Sequence, residues 1–285
     1  MMKRYFAFLL LGLAAIPALG QEMADYYQLP NQRHQYDRLL TRYGGAYIQN
    51  RWYVSLSGFG RTDGAKLDNS FNGILASNPV TKPGWSALVG WAYREQWAIE
   101  AGYANSAIHT DVLVNGSPYS FSFTNDKQSF FLRAKRMILS TSGPWRRSGF
   151  WLTGGMWAVP NSGQDKGQFS LVGYNNYDWR RENPIRLSGH TTLNNQLTAM
   201  AETGVEYTVR LNDRFDMGLS VRKLWGIGSS VTTNVAYLVN GRESQQAQFR
   251  GTGSGITYGL TLSYTFALQR KLASVMQVQG KQRIK

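Results

Sequence analysis

The amino-acid sequence predicts an all-β fold: an up-and-down antiparallel eight-stranded transmembrane β-barrel with a short N-terminal periplasmic segment. Three observations predict it. The N-terminus carries an apolar export signal, later segments of about ten residues alternate apolar with polar side chains, and the connections between them are alternately long and short. The alternation gives each strand one apolar and one polar face. An even number of strands lets an antiparallel sheet close on itself.

The composition agrees with a β protein and excludes other classes. Of the 285 residues, 30 are glycine, 13% are aromatic and 17% are charged, whereas long-helix proteins are rich in Ala, Glu, Lys and Leu. Because 42% of the residues are apolar, the chain can bury a sizeable core, which argues against wholesale disorder. There is no cysteine, so disulfides, thiolate metal sites and cysteine nucleophiles are excluded.

Residues 1–20 have the pattern of a cleaved signal peptide. Lys3 and Arg4 precede an apolar stretch from Phe6 to Ile16, and Ala18-Leu19-Gly20 supplies small residues before a cleavage site at Gln21. The alternative is an uncleaved anchor helix, but the apolar run is shorter than the roughly 18 residues that span a bilayer. Cleavage removes two basic residues and lowers the formal net charge from +14 to +12.

The first three predicted strands alternate clearly. Strand 1 covers 51–61, strand 2 covers 84–93, and strand 3 begins at Trp97. Only residues 94–96 separate strands 2 and 3, which predicts a tight hairpin. The predicted outward residues are Trp52, Val54, Leu56, Trp85, Ala87, Val89, Trp91, Tyr93, Trp97, Ile99, Ala101 and Tyr103.

The remaining strands differ in clarity. Strand 4 covers 128–138 and strand 6 covers 196–209, and both have one apolar face. Strand 5, at 150–159, is apolar on both faces, so the sequence does not indicate which face points outward. Strand 7 begins at Phe215. Strand 8, at 255–266, alternates six large apolar residues with Gly, Thr and Ser.

The connections alternate in length, as an up-and-down membrane barrel requires. Long loops are predicted at 62–83, 111–127, 160–195 and 228–254, whereas the turns after strands 2 and 6 are short and residues 139–149 are intermediate. This pattern places both ends of the barrel on the short-turn, periplasmic side.

Outward aromatic residues fall into two rows, which is typical of membrane girdles. The predicted row at the short-turn end is Trp52, Tyr93, Trp97, Tyr207, Phe215, Tyr264 and Phe266, and the row near the long loops is Trp85, Trp157 and Trp225. The alternative is a secreted soluble β-sandwich, in which the same aromatics would form the core.

Taken together, the signal peptide, the segment WAIEAGY at 97–103 and the terminal strand GITYGLTLSYTF at 255–266 resemble small eight-stranded outer-membrane barrels of the OmpA/OmpX type. The resemblance implies a bacterial outer-membrane location, contact with outer-membrane lipid and lipopolysaccharide, and recognition of the terminal aromatic by the barrel assembly machinery. It covers 51–266. The basic tail at 267–285 is too short for a peptidoglycan-binding domain, and 21–50 is expected to be periplasmic.

Charged residues on the polar faces are predicted to point into the barrel. An eight-stranded barrel is only wide enough for side chains to fill it, and a buried charge must be paired. We therefore expect a salt-bridge core rather than an ion path or a general porin. The predicted lumen residues are Glu100, Arg133, Lys135, Glu202, Glu206, Asp216 and Arg222.

The sequence contains no recognisable catalytic motif. His34 precedes the barrel, His109 lies near Ser106 and Asp111, and His190 follows Ser188. No two histidines share a ligand spacing, so no metal or other cofactor is expected. A nucleic-acid partner is not expected for an exported chain.

Outward and loop charges suggest surface contacts instead. Lys223 and Arg136 could reach lipid headgroups, and residues 174–184 mix aromatics with arginines in the third long loop. The leading hypothesis is a non-enzymatic barrel with a filled lumen, acting in envelope structure or binding a surface ligand through its loops. A lipid A-modifying enzyme centred on His109 or His190, and a narrow solute channel, are the alternatives.

Overall fold

The computed structural model describes residues 47–141, 148–175, 183–212 and 214–271. These residues form β-strands in the following order. The strands are β1 (Tyr47–Asp63), β2 (Lys66–Leu67), β3 (Leu75–Ala76), β4 (Val80–Tyr93), β5 (Trp97–Asn105), β6 (His109–Val114), β7 (Ser120–Thr124), β8 (Gln128–Ser140), β9 (Gly149–Val159), β10 (Asp165–Asn175), β11 (Asn183–Leu193), β12 (Thr198–Arg210), β13 (Phe215–Ile227), β14 (Val231–Val239), β15 (Arg242–Gly251) and β16 (Gly255–Lys271). The described residues contain no helix that is long and apolar enough to cross a membrane.

Eight strands close into a barrel. Their order is β1-β16-β13-β12-β9-β8-β5-β4, and the neighbours from β4 round to β16 pair antiparallel. This confirms the predicted all-β, antiparallel, eight-stranded barrel. The closed sheet also removes the β-sandwich alternative, because a sandwich consists of two separate packed sheets.

The limits of the barrel differ slightly from the predicted 51–266. β1 begins at Tyr47 and β16 continues to Lys271, so the first residues of the predicted tail belong to a strand. The two strands are neighbours in the sheet, and each can lengthen because the other supplies hydrogen-bond partners. The predicted signal peptide at 1–20, most of the 21–50 segment and the tail after residue 271 lie outside the described residues.

The chain divides into two compact units, residues 51–267 and residues 1–50 with 268–285. In the second unit, Asn50 Nδ2 donates a hydrogen bond to Gln269 Oε1 (2.8 Å).

The prediction of long loops is wrong, because these segments form strands that pair into two further sheets. One has the order β10-β11-β14-β15-β2 and the other β3-β6-β7. β10, β11, β14 and β15 follow the order of the barrel strands β9, β12, β13 and β16 to which they are joined. We call these eight strands and their connections the cap. Their alternating runs are interrupted by Gly, Asn and Ser, which made them look like loops in the sequence.

The cap has an apolar core of its own. The rings of Phe121 and Phe169 stack with centroids 4.1 Å apart, and Phe249 and Val112 are fully buried. The buried members of this core are Phe71, Leu75, Val112, Val114, Phe169, Leu187, Val235, Ala247 and Phe249. The cap is therefore a packed structure rather than a set of solvated loops.

The barrel has apolar side chains on its outside. Leu132, Leu219 and Val221 each expose about three fifths of their surface, which a water-soluble sheet would bury. The exposed large apolar residues of the barrel strands include Trp52, Val54, Leu56, Trp85, Val89, Trp97, Ile99, Phe130, Leu132, Phe150, Leu152, Met156, Val205, Leu219, Val221, Trp225, Ile256, Tyr258, Leu260, Leu262 and Phe266.

Candidate functional site

The centre of the barrel holds a connected network of ion pairs, which we call the central network. Arg133 makes a two-point contact with Glu202 (2.5 and 3.0 Å) and also donates to Glu100 (3.0 Å). Lys135 Nζ bridges Glu100 (2.9 Å) and Glu206 (2.7 Å). All five side chains are buried. Because every charge has an opposite partner at hydrogen-bond distance, the desolvation penalty is offset.

Three further side chains complete the central network. Arg222 Nη2 donates to Glu206 (2.8 Å). The Tyr53 hydroxyl donates a hydrogen bond to Glu100 (2.8 Å), and the Trp157 indole N–H donates one to Glu202. These neutral donors occupy carboxylate lone pairs that the cations leave open, so the acidic groups are held by several elements at once.

A second network, the basal network, lies at the short-turn end. Arg51 contacts both Glu95 (Nη2 to Oε2, 3.0 Å) and Asp216 (Nη1 to Oδ2, 2.5 Å). Arg210 contacts Asp216 (3.2 Å) and Glu95 (3.5 Å). Asp216, a predicted lumen residue, therefore belongs here and not to the central network.

The seven predicted lumen residues all lie inside the barrel, but sequence reasoning missed Arg51, Glu95 and Arg210. Arg51 was the first residue of the predicted strand 51–61, and Arg210 lies just beyond the predicted strand 196–209, so the alternation did not assign either side chain to a face. Glu95 sits in the hairpin 94–96, and Arg94 and Glu95 both have positive φ (52° and 54°). That backbone directs the Glu95 side chain inward, where it is 2% exposed. With these additions, the described networks contain five acids and five bases.

Among the described residues, a small cavity lies between the central and the basal network. A cavity of about 20 Å³ lies among Arg51, Tyr53, Lys135, Glu206 and Asp216, which is room for about one water molecule. Towards the cap, Leu224, Met200 and Ile108 are completely buried and fill the lumen with apolar atoms. An ion would therefore have to displace both paired charges and packed apolar side chains.

A third, smaller ion pair lies near the junction with the cap. Arg61 contacts Asp63 (2.7 Å) and donates to the carbonyl of Gly253 (2.7 Å) and to Ser106 Oγ (3.1 Å). Arg61 is 1% exposed. This arginine ties β1 to the β15–β16 connection and to the end of β5.

His109 lies next to this junction and is buried. It is 1% exposed, and neither ring nitrogen has a hydrogen-bond partner among the described residues. Burial lowers the pKa of His109 below its ordinary value, with Lys82 and Arg61 acting in the same direction against Asp63 and Asp111. A histidine enclosed in this way has no access to a lipid outside the barrel.

His190 has a different environment, on the outer face of the cap. Its Nε2 donates to Asp165 Oδ2 (2.7 Å), and both side chains are about half exposed. The hydrogen bond from His190 and that from the Gly167 amide lower the pKa of Asp165. Among the described residues, no cluster of three or more His, Asp or Glu side chains is arranged to hold a metal.

The predicted girdle residues face outward with one exception. Trp157 was predicted near the long loops on the lipid side, but it is 5% exposed and points into the central network. β9 is apolar on both faces, and its outward positions are instead Phe150, Leu152 and Met156. The indole N–H explains the inward choice, since inside the barrel it meets a carboxylate. Tyr93, Tyr207 and Tyr264 are half-buried by neighbouring rings.

The outward cations also have defined positions. Arg136 lies over the ring of Trp97, 4.9 Å from its centroid. Lys223 is exposed on β13 between the outward side chains of Val221 and Trp225. Of the predicted recognition loop 174–184, residues 176–182 lie outside the described residues, and the ends belong to β10 and β11. His34 lies outside them as well.

Comparisons with known proteins give only distant likenesses. No family model matches the chain, and no curated protein matches it. The outer membrane protein OprG of Pseudomonas aeruginosa is 10% identical (TM-score 0.39) over 77% of this chain and 97% of its own. AlkL is 12% identical (TM-score 0.38) over 80% and 95%. Outer membrane protein W of E. coli is 12% identical (TM-score 0.33) over 77% and 99%.

Identities and TM-scores at this level transfer no ligand or activity to this chain, and the OmpA/OmpX resemblance stays an expectation. The fold follows from the structure itself. The chain forms a closed eight-stranded barrel with apolar side chains outside and paired charges within, which is the architecture of a small outer-membrane β-barrel.

Proposed function

We propose that the protein is a non-enzymatic outer-membrane barrel that is closed to solutes and acts through its cap, in envelope structure or in binding at the cell surface. The observation that carries the proposal is the filled lumen. Five acids and five bases pair with one another in the described lumen, and the cavity among them holds about 20 Å³.

The membrane location is supported by the outward apolar belt and its aromatic borders. Trp52, Trp97 and Phe266 lie near the short-turn end, and Trp85 and Trp225 lie near the cap. Export fits the signal sequence at 1–20. Outer-membrane lipid and lipopolysaccharide are then the surrounding partners, and the exposed Phe266 is available to the barrel assembly machinery during insertion.

The location is tested by fractionating cells that express the full chain and running the outer-membrane fraction on a gel with and without boiling. We expect recovery in the outer membrane and a boiling-dependent shift in migration. Recovery in the soluble periplasmic fraction would overturn the proposal.

Closure is tested by single-channel recording of the purified protein in planar bilayers, with a general porin as the positive control. We expect no steps of current from this protein. Regular conductance steps would instead favour the second candidate, a narrow channel through the charged lumen.

A third candidate is a lipid A-modifying enzyme, and among the described residues the exposed His190–Asp165 pair favours it (2.7 Å). A carboxylate that orients a histidine is a common part of acyl-transfer and hydrolytic sites. Lipid A is profiled by mass spectrometry in strains with the native chain, without it, and with His190→Ala or His109→Ala. Under our proposal all four profiles are identical, and a lipid A species that depends on His190 would overturn it.

A further inference from the structure

Barrel and cap have opposite patterns of polarity along connected strands. On β13, apolar Leu219 and Val221 face outward and charged Arg222 faces inward. On the next strand, β14, Val231 and Val235 face inward, whereas Asn234 is exposed. The reversal falls between Ile227 and Val231. Because a lipid-facing surface must be apolar and a water-facing one polar, this level is where the outer surface of the membrane meets the protein.

A polar pocket lies at this level. Its volume is about 430 Å³, within the range of small-molecule sites. Hydroxyl, amide and backbone groups dominate its lining, and no charged side chain among the described residues contributes to it. The lining residues are Gly163, Thr192, Leu193, Asn194, Asn195, Ser229 and Thr232.

Part of the pocket is a braced frame and part is free to bind. Asn194 Nδ2 donates to the carbonyl of Ser229 (3.0 Å), and its Oδ1 accepts from the Gln196 amide (3.2 Å). By contrast, the Thr192 hydroxyl and the Asn195 carboxamide have no hydrogen-bond partner among the described residues. Thr192 and Thr232 lie on the outward parity, opposite the fully buried Thr191 and Thr233. The free groups therefore face outside.

The surface below the pocket changes in a defined order along β13. Leu219 and Val221 are apolar, Lys223 follows as a cation, Trp225 and Ile227 follow as exposed apolar side chains, and Ser229 begins the pocket. A lysine among lipid-facing side chains is costly unless its ammonium reaches an anion nearer the surface. The apolar side chains of β13 thus suit an acyl chain, the Lys223 ammonium suits a phosphate where the side chain extends past Trp225 toward the surface, and the polar groups above Ile227 suit a neutral sugar.

We propose that this face of β12 and β13 binds a phosphorylated glycolipid of the outer leaflet, with Lys223 on a phosphate and the polar pocket on a neutral sugar of the saccharide. The inference rests on the proposed outer-membrane location and deepens it by naming the lipid site. Hydroxyl and amide groups without a charge match sugar hydroxyls, which both donate and accept hydrogen bonds.

The test measures binding by the purified, folded protein in detergent to three probes. These are lipopolysaccharide with its core sugars, lipid A alone, and the core oligosaccharide released from it. We expect the intact glycolipid to bind at least tenfold more tightly than either part alone. Equal affinity for the free oligosaccharide would overturn the lipid assignment and favour a soluble glycan.

Two variant pairs separate the pocket from the cation. The double variant Thr192→Val with Asn195→Leu should bind intact lipopolysaccharide at least tenfold more weakly, with little change in its affinity for lipid A. Gln246→Leu, on the cap away from the pocket, should keep the native affinity for both. Lys223→Gln should lower the affinity for both lipopolysaccharide and lipid A. Arg136→Gln, at the short-turn end, should lower neither affinity. A boiling-dependent gel shift shows that each variant is folded.

The inference is overturned when the pocket variant binds lipopolysaccharide with the native affinity, or when the control variants lose as much affinity as the pocket and Lys223 variants. Absence of lipopolysaccharide binding by a native chain that still fractionates with the outer membrane also overturns it, and leaves the proposed function standing. Recovery of the chain in the periplasm would overturn both.

Discussion

The barrel and the cap use the same two-residue alternation in opposite senses. In the barrel, ion pairs such as Arg133–Glu202 lie inside and Leu132 lies outside. In the cap, Phe169 and Phe249 lie inside, and the outer face of the sheet carries His190, Asn234 and Gln248. Strand period therefore fixes which residues share a face, but the surrounding solvent decides which face is apolar.

This difference also separates how the two regions are stabilised. Cap folding removes apolar surface from water, as in a soluble domain. The barrel exposes its apolar side chains to lipid and keeps its charges together, so its interior depends on complete pairing. A single lost partner should thus harm the barrel more than a single polar change harms the cap.

The largest effect is expected from breaking the central network. Glu202→Ala leaves Arg133 and Trp157 without their shared acceptor and should lower the free energy of unfolding by about 3–5 kcal/mol. The measurement is urea unfolding of the protein folded into lipid vesicles, followed by tryptophan fluorescence. Thr203→Ala, at the next, outward position, is the control and should change stability by less than about 0.5 kcal/mol. Equal losses in the two variants would contradict a paired lumen.

The next effect tests the reversal of polarity directly. Leu219→Arg puts a charge on the lipid side of the barrel and should cost about 2–4 kcal/mol. Gln246→Arg makes a similar change on the outer face of the cap, where water is expected, and should cost less than about 0.5 kcal/mol. The same vesicle unfolding assay compares them. Similar costs would mean that the two surfaces face the same solvent.

The junction between the regions should be sensitive to acid through His109. Because burial lowers the pKa of His109 in the folded chain, the unfolded chain takes up the proton first as the pH falls through about 6.5, the ordinary histidine value. Stability should therefore decrease below that pH, and His109→Leu should reduce the decrease.

The readout of that test is the difference between native and variant unfolding at pH 7 and pH 5. Burial raises the pKa of Asp111 nearby, which acts in the opposite direction as the pH falls, so the absolute slope alone does not isolate the histidine. An identical pH dependence in the two proteins would show that His109 does not carry the effect.

Most barrel strands could be predicted from sequence because they have an uninterrupted run of alternation, as in β16 from Ile256 to Phe266, whereas β9 is apolar on both faces and only its existence was predicted. The cap could not, because Gly, Asn and Ser interrupt its alternating runs and only a few residues, many of them Gly, Ser or Asn, separate its strands from the barrel strands. Of the lumen residues, those in mid-strand such as Glu100 were found from parity. Glu95 was missed because its inward position depends on a turn with positive φ, and Trp157 because β9 is apolar on both faces.

The smallest expected effect lies at the outer surface of the short-turn end. The guanidinium of Arg136 sits 4.9 Å from the centre of the Trp97 ring, a contact that stabilises exposed sites by about 0.5–1 kcal/mol. Arg136→Gln should lower the free energy of unfolding in vesicles by that amount. Arg136→Lys should lower it less, because an ammonium can still lie over the ring. The loss should disappear in a Trp97→Leu background, since the partner ring is then absent. A loss of stability that persists in that background would mean that Arg136 acts by contacting lipid phosphates. The short-turn end would then use a cation on headgroups in the same way as we propose for Lys223 near the cap.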